Sequence, residues 1–460
     1  MTVSPYHWIP PAILTNRPPL LYQYPYRQIP KPFSLHRTKI FFPLLALLLL
    51  GAACTPQVQR RFLSADELGV RPQSFELAAE PRSPSRGPCY EQDNYRLDTL
   101  HPDYSPMRYL RINIHWMNSA DSSQNVPEAV ATAYAQRLVF AMNYALGKNN
   151  KMWLPVDNTT PVQPILFRYV LTGRPGDPTD DGIYYHYDDE LYYYVHYRKK
   201  DSNLYSRDVF DKYAVQQDTV MNMFLMPHQP DSVASRTYQA GPVGVALRNC
   251  LKVAAQWKED YAANRESYWN YRGVINHEVG HLLNLGHAWT GSDGCADTPV
   301  HKNPCWSRDA GPGCDTLTSN NVMDYNSLQL AWTPDQLARV YQCFANESNL
   351  QRKFLEPRWC ERDPAADITI RDTVDWSCMR DLYGNLTIAP GGQLTIRCRT
   401  SVPAGGKITI QPGGTLILAG GRLHQACGGT WQGIEVEKVN DLEGRLELRD
   451  NASVADTNRL

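Results

Sequence analysis

The sequence predicts an α/β (α+β) domain with a mixed, twisted sheet and a histidine-bearing helix, followed by the start of an all-β, parallel β-helix-like solenoid. Three observations predict it. Strand-period segments at 111–117, 165–171 and 219–225 and a helix-period segment opened by Pro127 precede the histidine motif. A helical stretch, His277-Glu278-Val279-Gly280-His281, carries two histidines four residues apart, with a third at His287. Beyond Cys360, a segment centred on Pro-Gly-Gly recurs at a spacing of 22 residues.

In chain order, residues 111–117 alternate in the strand period, and Pro127 opens a helical pattern that runs through Ala145 and closes at Gly147. Residues 165–171 predict another strand. Gly182 to Lys199 holds Tyr184, Tyr185, Tyr187, Tyr192, Tyr193, Tyr194 and Tyr197. Tyrosine favours strands, so this segment reads as a β-hairpin turning at Asp188-Asp189-Glu190, with His186 and His196 as surface residues. An aromatic carbohydrate or peptide platform is the alternative. Residues 219–225 predict a further strand, and residues 241–246 an edge able to align an extended peptide by strand addition.

The histidine helix carries the chemistry. Residues i and i+4 share a helix face, so His277 and His281 can direct their rings at one metal ion. Glu278 lies beside the first of them, where a carboxylate can serve as general base toward an activated water. The third histidine, His287, requires the chain to leave the helix and turn back. Glycine commonly makes that bend because it needs positive φ; here the position is Asn284, the non-glycine residue that best tolerates the left-handed region. A core helix that merely contains histidines is the simpler reading, but three histidines and a glutamate at these offsets fit a zinc site far better.

Residues 319–326 have the form of a Met-turn, with Met323 placed 36 residues after His287 and Tyr325 two residues further on. Gly294-Cys295 and Asp297-Thr298-Pro299 lie between the two motifs, and Trp332-Thr333-Pro334-Asp335-Gln336-Leu337 follows them. On these residues the chain resembles the pappalysin-like (cytophagalysin) metzincins, over roughly residues 105 to 345. The resemblance implies a metzincin catalytic domain that hydrolyses peptide bonds. It implies one catalytic Zn2+ held by His277, His281 and His287, and Glu278 as the base. Met323 would give a hydrophobic floor, and the Tyr325 phenol would approach the metal or the oxyanion. It also suggests a structural Ca2+ near Asp293 and Asp297, and two disulfides tying the loop of Cys295, Cys305 and Cys314 to Cys343, with three connectivities open.

Composition narrows the partners. Net charge is −1 over 460 residues and the basic residues form no stripe, so nothing points to nucleic acid. Residues 40–50 are an apolar run preceded by basic residues, with the length of a signal-peptide core. Gly51-Ala52-Ala53-Cys54 resembles a bacterial lipobox, although Gly51 departs from its usual aliphatic residue. Cys54 is thus the expected lipidation site and the membrane a partner; an ordinary signal peptide is the alternative. Residues 1–33 fit no targeting pattern, which a misassigned start codon would explain. Ten cysteines remain after Cys54, an even number expected of an exported, disulfide-bonded protein. Cys89 lacks the context of a latency thiol.

The expected division is residues 1–53 as extension and signal peptide, 54–90 as a flexible tether, 91–360 as the zinc metallopeptidase domain, and 370–460 as solenoid-like repeats. Those repeats look incomplete, because no capping element follows them. The reading is an exported endopeptidase of the cell envelope, or a secreted one. Its rival is an adhesive or glycan-binding surface protein in which the solenoid acts and the zinc domain is a vestige.

Overall fold

The computed structural model describes residues 57–69, 87–195, 203–236, 238, 240–263, 266–291, 293–458. The signal-peptide run, Cys54, His196 and most of the predicted tether lie outside them. The first strand, β1 (Gln59–Phe62), pairs far along the chain and is described with its partner.

A mixed six-stranded sheet forms the scaffold. Its longest strand is β2 (Arg108–Asn118), buried through Leu110, Ile112, Ile114 and Trp116 on one face and through Asn113, His115 and Met117 on the other. After α1 (Glu128–Gly147) come β3 (Phe167–Leu171), β4 (Ile183–Tyr187), β5 (Met221–Pro227), β6 (Val243–Leu247) and β7 (Cys250–Ala255). The order is β3-β2-β5-β7-β6, with β4 continuing along β2 beyond β3. All pairings are parallel except that of β6, which runs antiparallel to β7 and ends the sheet.

Short helices α2 (Asp208–Tyr213), α3 (Pro230–Val233) and α4 (Trp257–Ala262) precede the histidine helix α5 (Tyr268–Leu282); α6 (Cys314–Leu317), α7 (Pro334–Ala345) and α8 (Leu350–Lys353) follow it. Ile112, Ile114 and Trp116 of β2 share one core with Leu138 and Met142 of α1 and with Ile275 and Val279 of α5. Met117, Phe224 and Met226 belong to a second core that includes Phe210, Tyr192 and Tyr194.

Among the described residues of 182–199, the predicted hairpin is not formed. Ile183–Tyr187 joins β2 as a parallel strand, and the chain then turns through the Asp188 carboxylate, which accepts from the backbone N–H groups of Glu190 and Leu191. The tyrosines serve burial instead: Tyr192 and Tyr194 fill the second core. Nor is His186 a surface residue, since its Nε2 lies 2.9 Å from Nδ1 of the fully buried His115. Burial holds both rings below the usual histidine range.

The C-terminal part is built from short parallel strands in three sheets. The first holds β8 (Ile368–Ile370), β11 (Leu386–Ile388), β14 (Ile408–Ile410) and β17 (Ile434–Val439). The second holds β9 (Thr373–Trp376), β12 (Gln393–Ile396), β15 (Thr415–Ala419) and β19 (Arg445–Arg449). The third holds β10 (Arg380–Asp381), β13 (Thr400–Ser401), β16 (Arg422–His424) and β20 (Ser453–Val454). The chain visits the sheets in turn, so equivalent apolar positions stack: Leu386 faces Ile408, and Leu394 faces Leu416. Gly391 and Gly413 in the two Pro-Gly-Gly turns have φ of 80° and 81°, which explains the repeated glycine.

Within the stretch read as tether, Gln59–Phe62 is a strand. As β1 it runs antiparallel along β17, whose far end also pairs with β18 (Leu442–Glu443). Thr55–Leu460 is one compact unit, and disulfides Cys89–Cys398 and Cys360–Cys427 stitch its two parts together. The loop expectation is corrected in the same way. Cys305 pairs with Cys314, whereas Cys295 and Cys343 are buried free thiols. One bridge therefore ties that loop, and Cys89 is spent in a disulfide.

Candidate active site

Helix α5 puts His277, Glu278 and His281 on its buried side and then stops. The N–H of Leu285 bonds the carbonyl of Gly280 at 3.0 Å and that of Asn284 bonds His281 at 3.0 Å, the paired pattern of a Schellman cap. Asn284 takes φ of 73°, as its place in the motif requires. The turn returns His287 toward the helix. Nε2 of His281 then lies 3.1 Å from Nε2 of both His277 and His287.

In two of the three rings, the bond made by the other ring nitrogen leaves Nε2 as an acceptor. His277 donates Nδ1–H to the Val322 carbonyl at 2.7 Å, and His281 donates to the Leu285 carbonyl at 2.9 Å, which leaves each Nε2 as a bare lone pair. Burial pushes His277 down to about 3 and His287 to about 4, and lowers His281 as well, which favours the neutral rings a metal requires. Lone pairs at 3.1 Å repel unless a cation sits among them. Tetrahedral zinc with bonds of about 2.05 Å would space its nitrogens by roughly 3.3 Å, so the donor set fits the ion. Among the described residues this is the one cluster of histidine, cysteine or carboxylate groups able to hold a metal.

Met323 lies directly beneath. A Cβ at Gly280 would overlap its Sδ, so the glycine of the helix motif is the opening through which the methionine reaches the site. The Met-turn is fastened to α7: Asn321 and Gln336 exchange two amide hydrogen bonds of 2.9 and 3.1 Å, while Gln336 closes a capping box with Thr333. Asn321 also accepts the N–H of Met323 at 2.8 Å.

Glu278 is 6% exposed. Burial pushes its carboxyl up to about 8, partly opposed by the N–H of Ala246 on β6. The edge strand passes so close that a Cβ at Gly244 would overlap the Glu278 side chain. Tyr325 stands at the mouth, 53% exposed, its ring 5.7 Å from His277 and 5.0 Å from His287.

Sequence reasoning missed the groups that brace this arrangement. Trp289 stacks on His287 with centroids 4.2 Å apart. The Trp289 backbone N–H donates to Asp324, a fully buried carboxylate that also accepts from Ser319 and faces His301 Nε2 at 3.2 Å. Only the capping-box spacing of Thr333 and Gln336 was a readable signal for any of them. Asp293 and Asp297 are engaged by protein donors: Thr298 and the Cys295 N–H on the first, Thr333 and the Asp335 N–H on the second.

Residues 203–345 match the model of the peptidase M43 family, described as pregnancy-associated plasma protein-A. The match contains the whole histidine motif, the Met-turn and α7. The chain is a metalloendopeptidase. Two solved structures are similar to this metalloendopeptidase. Mirolysin in complex with compound 9 has 17% identity and a TM-score of 0.37, covering 54% of this chain and 96% of that one. Mature mirolysin of Tannerella forsythia in complex with a cleaved peptide has 16% identity and the same coverage and TM-score. At those values neither carries a functional argument. No curated protein matches the metalloendopeptidase.

Proposed function

We propose that this metalloendopeptidase is an exported, zinc-dependent enzyme that cleaves peptide bonds using Glu278 as general base. The observation that carries the reading is the convergence of three imidazole Nε2 atoms over Met323, with a buried carboxylate beside them. His277, His281 and His287 would hold the zinc, which when bound supplies Lewis acidity toward a water and a peptide carbonyl.

The chain's own groups supply the rest. β6, at the end of the sheet, offers backbone N–H and C=O groups to an extended substrate and holds it across the site. Glu278 takes a proton from the attacking water as the C–O bond forms. It delivers that proton to the amide nitrogen as the C–N bond breaks. The Ala246 N–H keeps the carboxylate aimed while it changes protonation. Tyr325, at the mouth, has a phenol in reach of the oxyanion region, and Trp289 shields the His287 ring from water.

Three disulfides suit an oxidising compartment, which supports export. No described helix is long and apolar enough to cross a membrane. Attachment through a lipidated Cys54 is the proposed anchor, and loss of the protein from membranes in Cys54→Ser is its test. We read the three parallel sheets as a β-solenoid that braces the catalytic part. The adhesive reading, with a vestigial zinc domain, is not favoured, because no ligand, base or Met-turn residue is missing. The direct test is cleavage of a peptide library by the full chain before and after chelation. Cleavage should stop without metal and return with zinc; a chain holding no metal would refute the proposal.

A further inference from the structure

Helix α1 carries large exposed aromatic side chains opposite its buried side. One side is buried in the core through Leu138 and Met142, while the opposite side exposes Phe140 and Tyr144, 60% and 49% accessible. Large aromatic side chains exposed side by side mark a contact surface, and among the described residues none covers these two. The two rings are not scattered. Trp269 of α5 meets Phe140 and Tyr144 edge to face, with centroids 6.0 and 5.4 Å apart, so three aromatic side chains form one patch.

Charge identifies what the patch suits. Lys148 lies 5.9 Å from the Tyr144 ring and the Arg272 guanidinium 5.4 Å from the Trp269 ring, with Arg137 exposed on the same helix one turn before Phe140. No carboxylate occurs between Glu128 and Asp157. The neighbouring acid, Glu266, engages Tyr268 rather than the ring trio. Aromatic rings ringed by cations, without anions, are the composition that seats at the headgroup level of a bilayer. A second copy of the chain fits less well, because a two-fold contact through this patch would bring Arg137 and Lys148 against their own symmetry mates.

We propose that the Phe140–Tyr144–Trp269 face of α1 and α5 docks on the surface of an anionic lipid bilayer. The docking is independent of the peptidase reading and of any lipid on Cys54, because it rests on the patch alone. The rings would enter the interface while Arg137, Lys148 and Arg272 engage lipid phosphates. Each basic residue near such a surface favours association by about fivefold, so reversing Arg137 and Lys148 together should weaken docking by roughly 25-fold or more.

The test reads the patch locally, since residues 40–50 could attach the full chain to any vesicle. Hydroxyl-radical footprinting of the full chain would report the oxidation of Phe140 and Tyr144. It would be run with phosphatidylcholine vesicles and with vesicles mixed roughly three to one with phosphatidylglycerol. Protection of both rings on anionic vesicles only, lost in Arg137→Glu/Lys148→Glu while cleavage of a short soluble peptide is unchanged, is the expected result. No protection, or equal protection on neutral vesicles, would overturn the proposal. So would protection that rises with protein concentration alone, which would mark a self-association face.

Discussion

At the scale of single residues, the site depends on positions where one atom more or one conformation less is decisive. Asn284 sits at φ of 73° in the cap that returns His287. Asn284→Gly should therefore keep zinc affinity. Asn284→Val should lose it before global stability falls, because a β-branched residue in the left-handed region costs about 1–2 kcal/mol or more. Metal titration beside thermal unfolding of both variants checks this; equal affinities would move the essential bend to Gly286. Gly244 is a second such position. Since a Cβ there overlaps the Glu278 side chain, Gly244→Ala should displace the base. The turnover rate should drop by at least about tenfold with zinc content unchanged, the range expected when a general base is misplaced. Asn284 was legible in the sequence because a helix exit needing positive φ has few suitable residues. Gly244 was not, because nothing local distinguishes a glycine that admits a distant carboxylate.

At the scale of elements, the candidate active site is a helix and a turn clamped by a second helix. Asn321 and Gln336 join the Met-turn to the first turn of α7 and are both buried, so removing the Gln336 amide costs buried Asn321 two hydrogen bonds. Gln336→Ala should cost about 1–3 kcal/mol, measured by denaturant unfolding. It should also loosen Met323, seen as weakened zinc retention. A stability loss without any change in metal affinity would mean the Met-turn holds itself. The strands around 111–117, 165–171 and 219–225 were readable from period alone, as was the helix opened by Pro127. The tyrosine-rich segment was misread because alternation and propensity specify a strand but not its partner. β4 found a parallel neighbour in β2 instead of returning on itself. Cysteine pairing failed for a related reason: Cys89 and Cys360 bond residues of the C-terminal sheets, and chain distance gives no hint of that.

At the scale of the molecule, the C-terminal sheets are joined to the catalytic part by more than disulfides. Asp381 of β10 is held between Arg352 of α8 and Arg399, at 2.6 and 2.7 Å, and Arg399 also donates to the carbonyl of Ala345 on α7. Although burial opposes its ionisation, the two guanidinium groups hold the Asp381 carboxyl far below the usual carboxylate range. Its stabilisation is then present in full above the unfolded value of about 4 and fades as pH falls below it. Asp381→Asn should destabilise the chain at neutral pH by about 3 kcal/mol or more, as for a broken buried ion pair. The difference from the parent should narrow only below about pH 4. Denaturant midpoints across pH check both the size and the sign, and a difference that grew on acidification would contradict the assignment.

The central claim is that three histidines hold a zinc ion for which Glu278 is the base, and one comparison tests it most directly. Zinc content and cleavage of a fluorogenic peptide would be measured on the full chain and on Glu278→Gln, each stripped of metal and reloaded. The account predicts about one zinc per chain in both proteins. It predicts cleavage by the reloaded parent alone, with the variant slower by on the order of a hundredfold or more. Equal turnover in the variant, or cleavage by the parent that survives removal of the metal, would contradict it.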